Sequence, residues 1–157
     1  MQGHVVEGKS CFFIGHHDAG TEIYPLLWAE VERHITEYSV TDFFVGNYGA
    51  FDRMAAQAVR EAKDRYSGVR LWLVLPYHPA IRPVEMPEGY DGTYYPWEDE
   101  RIPKRLAIVK TNCRMVEICG HLIAYVLYSG GNSGRLLEYA RGHEAKGRIS
   151  VTNLAMK

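Results

Sequence analysis

The sequence predicts an α/β protein built on a parallel sheet with helices on both faces. Short apolar runs alternate along the chain with segments of helical spacing, which is the pattern of strand–helix–strand units. The apolar runs show no polar alternation, as expected for strands that are buried on both faces. With right-handed crossovers, these units predict a Rossmann-like three-layer sheet of about five strands in the order 3-2-1-4-5.

The first half of the chain supplies three predicted strands and two predicted helices. The apolar runs at residues 11–14, 43–45 and 71–75 are the strands. Helical spacing extends from Ile23 to about Tyr38, with Pro25 in the first turn, where its missing N–H has little effect. A second apolar stripe covers residues 54–62, with Asp52 near the N-terminus of that helix.

Residues 76–103 interrupt this pattern. They contain six of the seven prolines and five large aromatic residues, and they are too long for an ordinary connection. We predict a folded-over flap with a short hairpin near residues 93–95. The aromatic residues of this flap could cover a ligand or pack elsewhere.

Helical spacing resumes after residue 103, and the rest of the chain is predicted to complete the sheet. The third helix has an apolar stripe made by Leu106, Val109, Cys113 and Val116. A fourth strand is predicted at residues 122–127, a helix around residues 136–140, and a fifth strand at residues 149–151.

Composition limits the classes of function. A length of 157 residues suggests one domain, and a net charge of −1 with scattered Lys and Arg argues against a specific nucleic-acid binder. Cys11, Cys113 and Cys119 have no CxxC spacing, so we predict reduced thiols, a cytoplasmic location and no metal site. No apolar run approaches the roughly 20 residues of a membrane helix. We therefore predict no membrane partner. We also predict no cofactor.

Distinctive polar loops follow the predicted strands and indicate a ligand site. The candidate binding residues are Gly15, His16 and His17 after the first strand; Gly46, Asn47, Gly49 and Asp52 after the second; Pro76 and Tyr77 after the third; and Gly130, Gly131, Asn132, Ser133, Gly134 and Arg135 after the fourth. Ligands of such sheets bind at the carboxyl ends of the strands, where the strand order reverses. A glycine-rich turn before a helix also favours an anion.

Each of these features has a plainer interpretation. Glycines between a strand and a helix are common turn residues, and Asp52 could simply cap its helix. Adjacent histidines on a loop are more often exposed or hydrogen-bonded than a metal pair. His121 precedes the fourth strand, at the end opposite the predicted site, and is expected to be structural. The agreement among separate loops at one sheet edge favours the ligand site.

Four motifs together resemble the SLOG superfamily, and in particular its YpsA-like branch. They are "FFIGHH", "GNYGAFDRMAAQAV", "VLPY" and "GGNSGRLLE", and the similarity runs from about residue 11 to residue 151. The resemblance implies a Rossmann-like fold and a nucleotide or nucleotide-derived ligand. Some members of the superfamily are ligand sensors. The related Lonely Guy proteins, of the lysine-decarboxylase-like group, are phosphoribohydrolases that release the base from a cytokinin nucleoside monophosphate.

The resemblance also suggests site residues. The Lonely Guy hallmark is PGGxGTxxE, in which Gly131, Gly134 and Glu138 fit, whereas Asn132 and Arg135 depart from the pattern. By this comparison Glu138 would be the catalytic carboxylate. Arg114, in "TNCRMVE", resembles a catalytic arginine on the preceding helix of the enzymes. The YpsA-like pattern has Gly-His-Arg in the opening loop, where this chain has His17 as the third residue.

Three functions remain open at this point. The first is a binding module for a nucleotide-derived small molecule, held by the loop amides, Asp52 or Asn47, and aromatic residues. The second is an N-glycoside hydrolase that releases a base from a nucleoside monophosphate. Its carboxylate would be Glu138 or, as the next candidate, Asp52, and His16 or His17 would supply the proton. The third is an interaction protein with a vestigial crevice. Pairing into a homodimer is compatible with all three.

Overall fold

A computed structural model describes residues 9–98 and 102–156 of the chain. Its single sheet has six strands, which are β1 (Ser10–Gly15), β2 (Asp42–Val45), β3 (Arg70–Val74), β4 (Gly92–Tyr94), β5 (His121–Tyr125) and β6 (Ser150–Asn153). All pairings are parallel, and the strand order is β4-β3-β2-β1-β5-β6. The predicted α/β class, parallel sheet and order of the five expected strands are confirmed, and β4 adds a sixth strand at the edge.

Helices cover both faces of the sheet, and each face has its own apolar core. The helices are α1 (Tyr24–Thr36), α2 (Ala50–Lys63), α3 (Ala107–Ile118) and α4 (Gly131–Ala145). Side chains of β1 alternate between the two cores, so Cys11 and Phe13 pack with α1 and α2, and Phe12 and Ile14 pack with α3 and α4. In the described ranges no helix combines the length and the apolar character that crossing a membrane requires.

The segment after β3 differs from the prediction of a hairpin near residues 93–95. Residues 92–94 form the parallel edge strand β4, because the chain from residue 75 to residue 91 first returns to the amino end of β3. A parallel partner needs such a long crossover, whereas a hairpin would reverse the direction at once. Asp91 fixes the return, since its Oδ2 atom accepts hydrogen bonds from Lys63 Nζ at 2.6 Å and the Leu71 amide at 2.8 Å.

Two aromatic residues of this segment, Tyr94 and Trp97, contact the protein body. The Tyr94 ring meets the Phe44 ring edge to face, with 5.1 Å between the ring centroids. The Trp97 indole N–H donates a hydrogen bond to the Thr111 hydroxyl at 2.9 Å. The exposed apolar side chains of the segment are aliphatic ones, of which Ile81 is 79% exposed.

The buried face of α3 is rotated from the predicted stripe. Leu106 and Val109 are exposed, and the buried positions are Ala107, Thr111, Met115 and Val116. Thr111 is polar and so was not part of the predicted apolar stripe. Its hydroxyl is satisfied by Trp97 from the preceding segment, so it can lie in the interior without an unpaired group.

A polar cluster occupies the amino end of the sheet, away from the predicted site. His121 begins β5, and its ring stacks on Tyr38 with 5.3 Å between centroids. His34 of α1 is fully buried beside this pair, and its Nδ1–H donates to the Glu30 carbonyl oxygen at 2.8 Å. His121 therefore lies at the sheet edge opposite the predicted site, where the sequence indicated.

Candidate functional site

A cavity of about 350 Å³ lies at the carboxyl ends of β1 and β5, where the strand order reverses. It is lined by Phe12, Phe13, Ile14, Gly15, His16, His17, Gly46, Tyr48, Asp52, Ile108, Asn112, Tyr128, Gly130, Gly131, Asn132 and Ser133. The volume is near the lower end of the roughly 300–1,000 Å³ that small-molecule sites occupy. The edge predicted from the loops therefore contains a cavity to which three of those loops contribute.

The N-terminus of α4 forms one wall of the cavity. Gly130 and Gly131 have φ values of 86° and 64°, a backbone that a residue with a Cβ adopts only with strain. No side chain caps this helix end, so the first-turn amides of α4 remain available to a ligand. The Ser133 hydroxyl donates to the Gly15 carbonyl oxygen at 3.3 Å, which fixes this turn against the end of β1.

His16 provides a buried polar group in the same cavity. Its side chain is only 7% exposed, and its Nε2 atom accepts a hydrogen bond from the Leu127 amide at 2.9 Å. The ring is stacked on Tyr128, with 4.5 Å between centroids. Among the described residues the other ring nitrogen, Nδ1, has no hydrogen-bond partner. It does not belong to the side-chain nitrogens that are both fully buried and without a partner. Nδ1 is therefore not sealed in the interior, and His16 lines the cavity.

Asp52 is the second buried polar group. It is the third residue of α2 and 8% exposed, and its Oδ2 atom accepts a hydrogen bond from the Tyr48 amide at 3.0 Å. Burial raises the pKa of Asp52 to about 6, and the hydrogen bond from Tyr48 only partly offsets this. Burial also raises the pKa of the Tyr48 hydroxyl, with a smaller contribution from the Asp52 charge. Oδ1 has no partner among the described residues, so this carboxyl group can accept a hydrogen bond from a ligand.

At two glycines, the loop after β1 and the start of α2 after β2 pack closely against each other. A Cβ atom on Gly15 would lie 2.4 Å from Phe51 Cγ, so only glycine lets that ring close the base of α2. A Cβ atom on Gly49 would lie 2.4 Å from His17 Cα, and the Ala50 amide donates to the His17 carbonyl oxygen at 2.7 Å. These two glycines therefore let the loops pack closely against each other, and Gly15 also lines the cavity.

Nine of the fifteen predicted binding residues line the cavity, and the other six do not. Asn47 is exposed, Gly49 packs on His17, and Arg135 points to solvent on α4. Gly134 is buried, and a Cβ there would lie 3.1 Å from the Tyr128 carbonyl oxygen. Pro76 and Tyr77 follow β3, two strands away, although Tyr77 is near enough to Tyr48 to influence its hydroxyl.

Neither predicted catalytic residue lines the cavity. Glu138 is exposed on α4, one turn beyond the lining residues. Arg114 lies on α3 and has its guanidinium 5.8 Å from the centroid of the Trp97 ring and 3.6 Å from a Glu117 carboxylate oxygen. The carboxylate that does line the cavity is Asp52, the second choice of the sequence analysis.

The cavity also includes residues that the sequence did not indicate. Tyr48 lies inside the loop predicted after the second strand, and Tyr128 lies directly before the loop predicted after the fourth, but an aromatic residue at such a position carries no signal by itself. Ile108 and Asn112 are one turn apart on α3 and face the cavity because of the rotation of that helix. Only the packing of α3 on the sheet reveals them.

The remaining His, Cys, Asp and Glu side chains of the described residues form no metal-binding cluster. No group of three or more His, Cys, Asp or Glu side chains in residues 9–98 and 102–156 could hold a metal ion. Burial raises the pKa of Cys119 to about 12 and that of Cys11 well above its ordinary value. Both thiols therefore remain protonated, which disfavours a nucleophilic role.

The fold and the site together define a Rossmann-like α/β protein with a cavity at the switch point of its sheet. No protein-family model matches the chain, and a search of curated proteins finds no match to it. The resemblance to the SLOG superfamily therefore remains a prediction from the four motifs.

Proposed function

We propose that the protein binds a phosphorylated, nucleotide-derived small molecule in the cavity between β1 and β5. One observation carries the proposal. Two side chains that are each more than nine-tenths buried, His16 and Asp52, have an unbonded polar atom in the same cavity as the uncapped first turn of α4. Buried polar groups are normally satisfied within a protein, so these atoms indicate an external partner.

The chemistry of the cavity matches the two ends of such a ligand. Backbone amides at a helix N-terminus favour an anion such as phosphate. The Asp52 carboxyl group favours a hydrogen-bond donor, such as a ribose hydroxyl or a base amine, and disfavours a second anion. Tyr128 is 61% exposed beside the stacked His16 ring and offers a face on which a base could stack.

Calorimetric titration with nucleoside 5′-monophosphates, NAD, ADP-ribose and the corresponding unphosphorylated nucleosides tests this function. We expect a phosphorylated compound to bind and its nucleoside to bind at least about tenfold more weakly, because the charge-assisted contacts are lost. Asn132→Asp should abolish binding, since it places a carboxylate among the α4 amides, while favouring the helix itself.

Gln57→Glu is the matched control, because it adds the same charge on an exposed helix position outside the cavity. Binding that is equally weak for all compounds, or equally strong for Asn132→Asp and the wild type, would refute the proposal.

A second candidate function, N-glycoside hydrolysis, is favoured by the state of Asp52. A carboxyl group with a pKa of about 6 can exchange a proton near neutral pH, which suits a general acid or base. In this reaction water would attack the anomeric carbon, and the departing base would take up a proton. The hydrolase would depend on Asp52, because Glu138 is exposed outside the cavity.

Chromatographic detection of free base separates the hydrolase from the binding module. The same compounds are incubated with wild type, Asp52→Asn and Glu138→Gln. Release that disappears only in Asp52→Asn would establish the hydrolase, and binding without release would leave the binding module alone. Loss of base release in Glu138→Gln would instead support Glu138, the carboxylate that the sequence favoured.

A further inference from the structure

The position of the proton on His16 follows from its hydrogen bond to Leu127. An amide N–H can only donate, so the Nε2 atom that accepts from it at 2.9 Å must carry no proton. In a neutral imidazole the proton is then on Nδ1. Because Nδ1 has no partner among the described residues and the ring lines the cavity, the site presents an N–H donor at this point.

We propose that His16 is a specificity-determining residue that donates a hydrogen bond from Nδ1 to an acceptor atom of the bound ligand. This inference rests on the proposed ligand-binding function and goes beyond it, because it fixes the direction of one contact. Residue 16 follows Gly15, to which the first turn of α4 is bonded through Ser133. The acceptor is therefore an oxygen of the anionic group, which a phosphate supplies.

Asn153 is the positioning residue that sets this arrangement. It is buried at the end of β6, and its side-chain oxygen accepts from the Val126 amide while its side-chain nitrogen donates to the Val126 carbonyl oxygen, both at 3.0 Å. This pair of bonds fixes residue 126 immediately before the Leu127 amide that holds His16. The side chain of Leu127 is 62% exposed, so packing does little to hold the loop.

The histidine tautomers can be read directly by ¹⁵N spectroscopy of histidine-labelled full-length protein, at a pH well above the ordinary histidine range. We expect the Nδ1–H form for His16. His78 is an internal control with the opposite form, because its Nδ1 accepts from the Ala80 amide at 3.0 Å. An Nε2–H form at His16 would overturn the inference before any ligand is added.

Two near-isosteric variants separate the two nitrogens. His16→Gln retains an acceptor for the Leu127 amide near the Nε2 position and loses the Nδ1 donor, whereas His16→Asn retains a donor near Nδ1 and loses the acceptor. With inorganic phosphate and AMP as probes, we expect His16→Gln to bind about tenfold more weakly or worse, as for the loss of a hydrogen bond to a charged group. His16→Asn should keep more of the affinity.

Three results are distinguishable. Weaker binding by His16→Gln, together with a shift of the His16 Nδ1 resonance on adding the probe, supports the inference. Equal affinity of His16→Gln and the wild type, or an unchanged resonance, would overturn it and leave the proposed function intact. If wild-type protein binds neither probe nor any compound of the panel, the proposed function fails, and this inference fails with it.

The role of Asn153 is tested by Asn153→Leu, which keeps the approximate size and removes both bonds to Val126. We expect a measurable fraction of the Nε2–H tautomer of His16 and a several-fold loss of phosphate affinity. His143→Gln, on the last turn of α4, is the control that should change neither. A destabilised Asn153→Leu with an unchanged His16 tautomer would show that Asn153 is structural only.

Discussion

The hydroxyl of Ser133 donates a hydrogen bond to the carbonyl oxygen of Gly15 across 3.3 Å. This bond joins the first turn of α4 to the last residue of β1, two elements that are more than a hundred residues apart in the chain. It closes the cavity at the point where the strand order reverses. The glycine-rich turn and the first loop are thereby held as one surface.

Ser133→Ala should weaken ligand binding and the fold by similar, small amounts. A neutral hydrogen bond contributes about 1 kcal/mol, so we expect unfolding free energy to fall by no more than that. Loosening the turn should lower phosphate affinity by up to about fivefold. Urea denaturation and calorimetry measure the two effects. Ser67→Ala, at an exposed turn, is the control and should alter neither.

The fold was largely predictable because most strands carry their own signal. The runs at Cys11–Ile14 and Phe43–Val45 are apolar on both faces, and only a sheet covered on both sides buries such runs. The short strand β4 carries no such signal. It lies in a proline-rich segment, and it is a strand only because β3 offers it an open edge.

The site was predictable in part for the same kind of reason. Gly15, His16 and the Gly130–Ser133 turn follow strong strands, so their place at the sheet edge follows from topology. Ile108 and Asn112 depend on the rotation of α3, which the Trp97–Thr111 hydrogen bond helps to determine. That bond joins two segments whose pairing the sequence does not show, and the same rotation leaves Arg114 away from the cavity.

Asp52 makes stability depend on pH in a defined direction. Its pKa of about 6 in the folded protein exceeds the ordinary value of about 4, so the folded state binds the proton more tightly than the unfolded chain. The contribution of Asp52 to the unfolding free energy is therefore most favourable below about pH 4 and is lost as the pH rises through about 6. At about 1.4 kcal/mol per pKa unit, the loss is about 3 kcal/mol.

Asp52→Asn removes this titration and keeps an acceptor for the Tyr48 amide. We expect the unfolding free energy of the variant, minus that of the wild type, to increase by about 2 kcal/mol between pH 4 and pH 7, because at pH 4 the unfolded carboxyl group is already partly ionised. Urea titrations at one-unit pH intervals measure it. Glu138→Gln, at an exposed position, controls for the loss of one carboxylate. A difference that does not vary with pH would show that Asp52 ionises normally.

His34 should make stability depend on pH in the direction opposite to that of Asp52. Burial lowers its pKa to about 4, and the nearby His121 and Arg33 add to this, while Glu30 opposes it. The unfolded chain, with an ordinary value near 6.5, binds the proton more tightly. The contribution of His34 is thus complete above about pH 6.5 and is lost as pH falls to about 4.

The variant His34→Gln isolates this effect. At pH 7 the wild type should be more stable, because the Nδ1–H bond to the Glu30 carbonyl oxygen is retained. That advantage should shrink by about 3 kcal/mol as pH falls from 7 to 4. Urea denaturation of both proteins measures it, with His78→Gln as an exposed control. A constant advantage would contradict the burial of a neutral His34.

Arg114 should contribute to stability and not to ligand binding. Its guanidinium lies beside the Trp97 ring and the Glu117 carboxylate, outside the cavity. We expect Arg114→Met to leave phosphate affinity unchanged and to lower the unfolding free energy by about 1 kcal/mol, because a half-exposed cation–π contact is lost. Thr111→Val should cost more, about 1–3 kcal/mol, since it leaves the part-buried Trp97 N–H without an acceptor. Calorimetry and urea denaturation of both variants separate these effects, and a large loss of affinity in Arg114→Met alone would instead support the catalytic arginine that the resemblance implied.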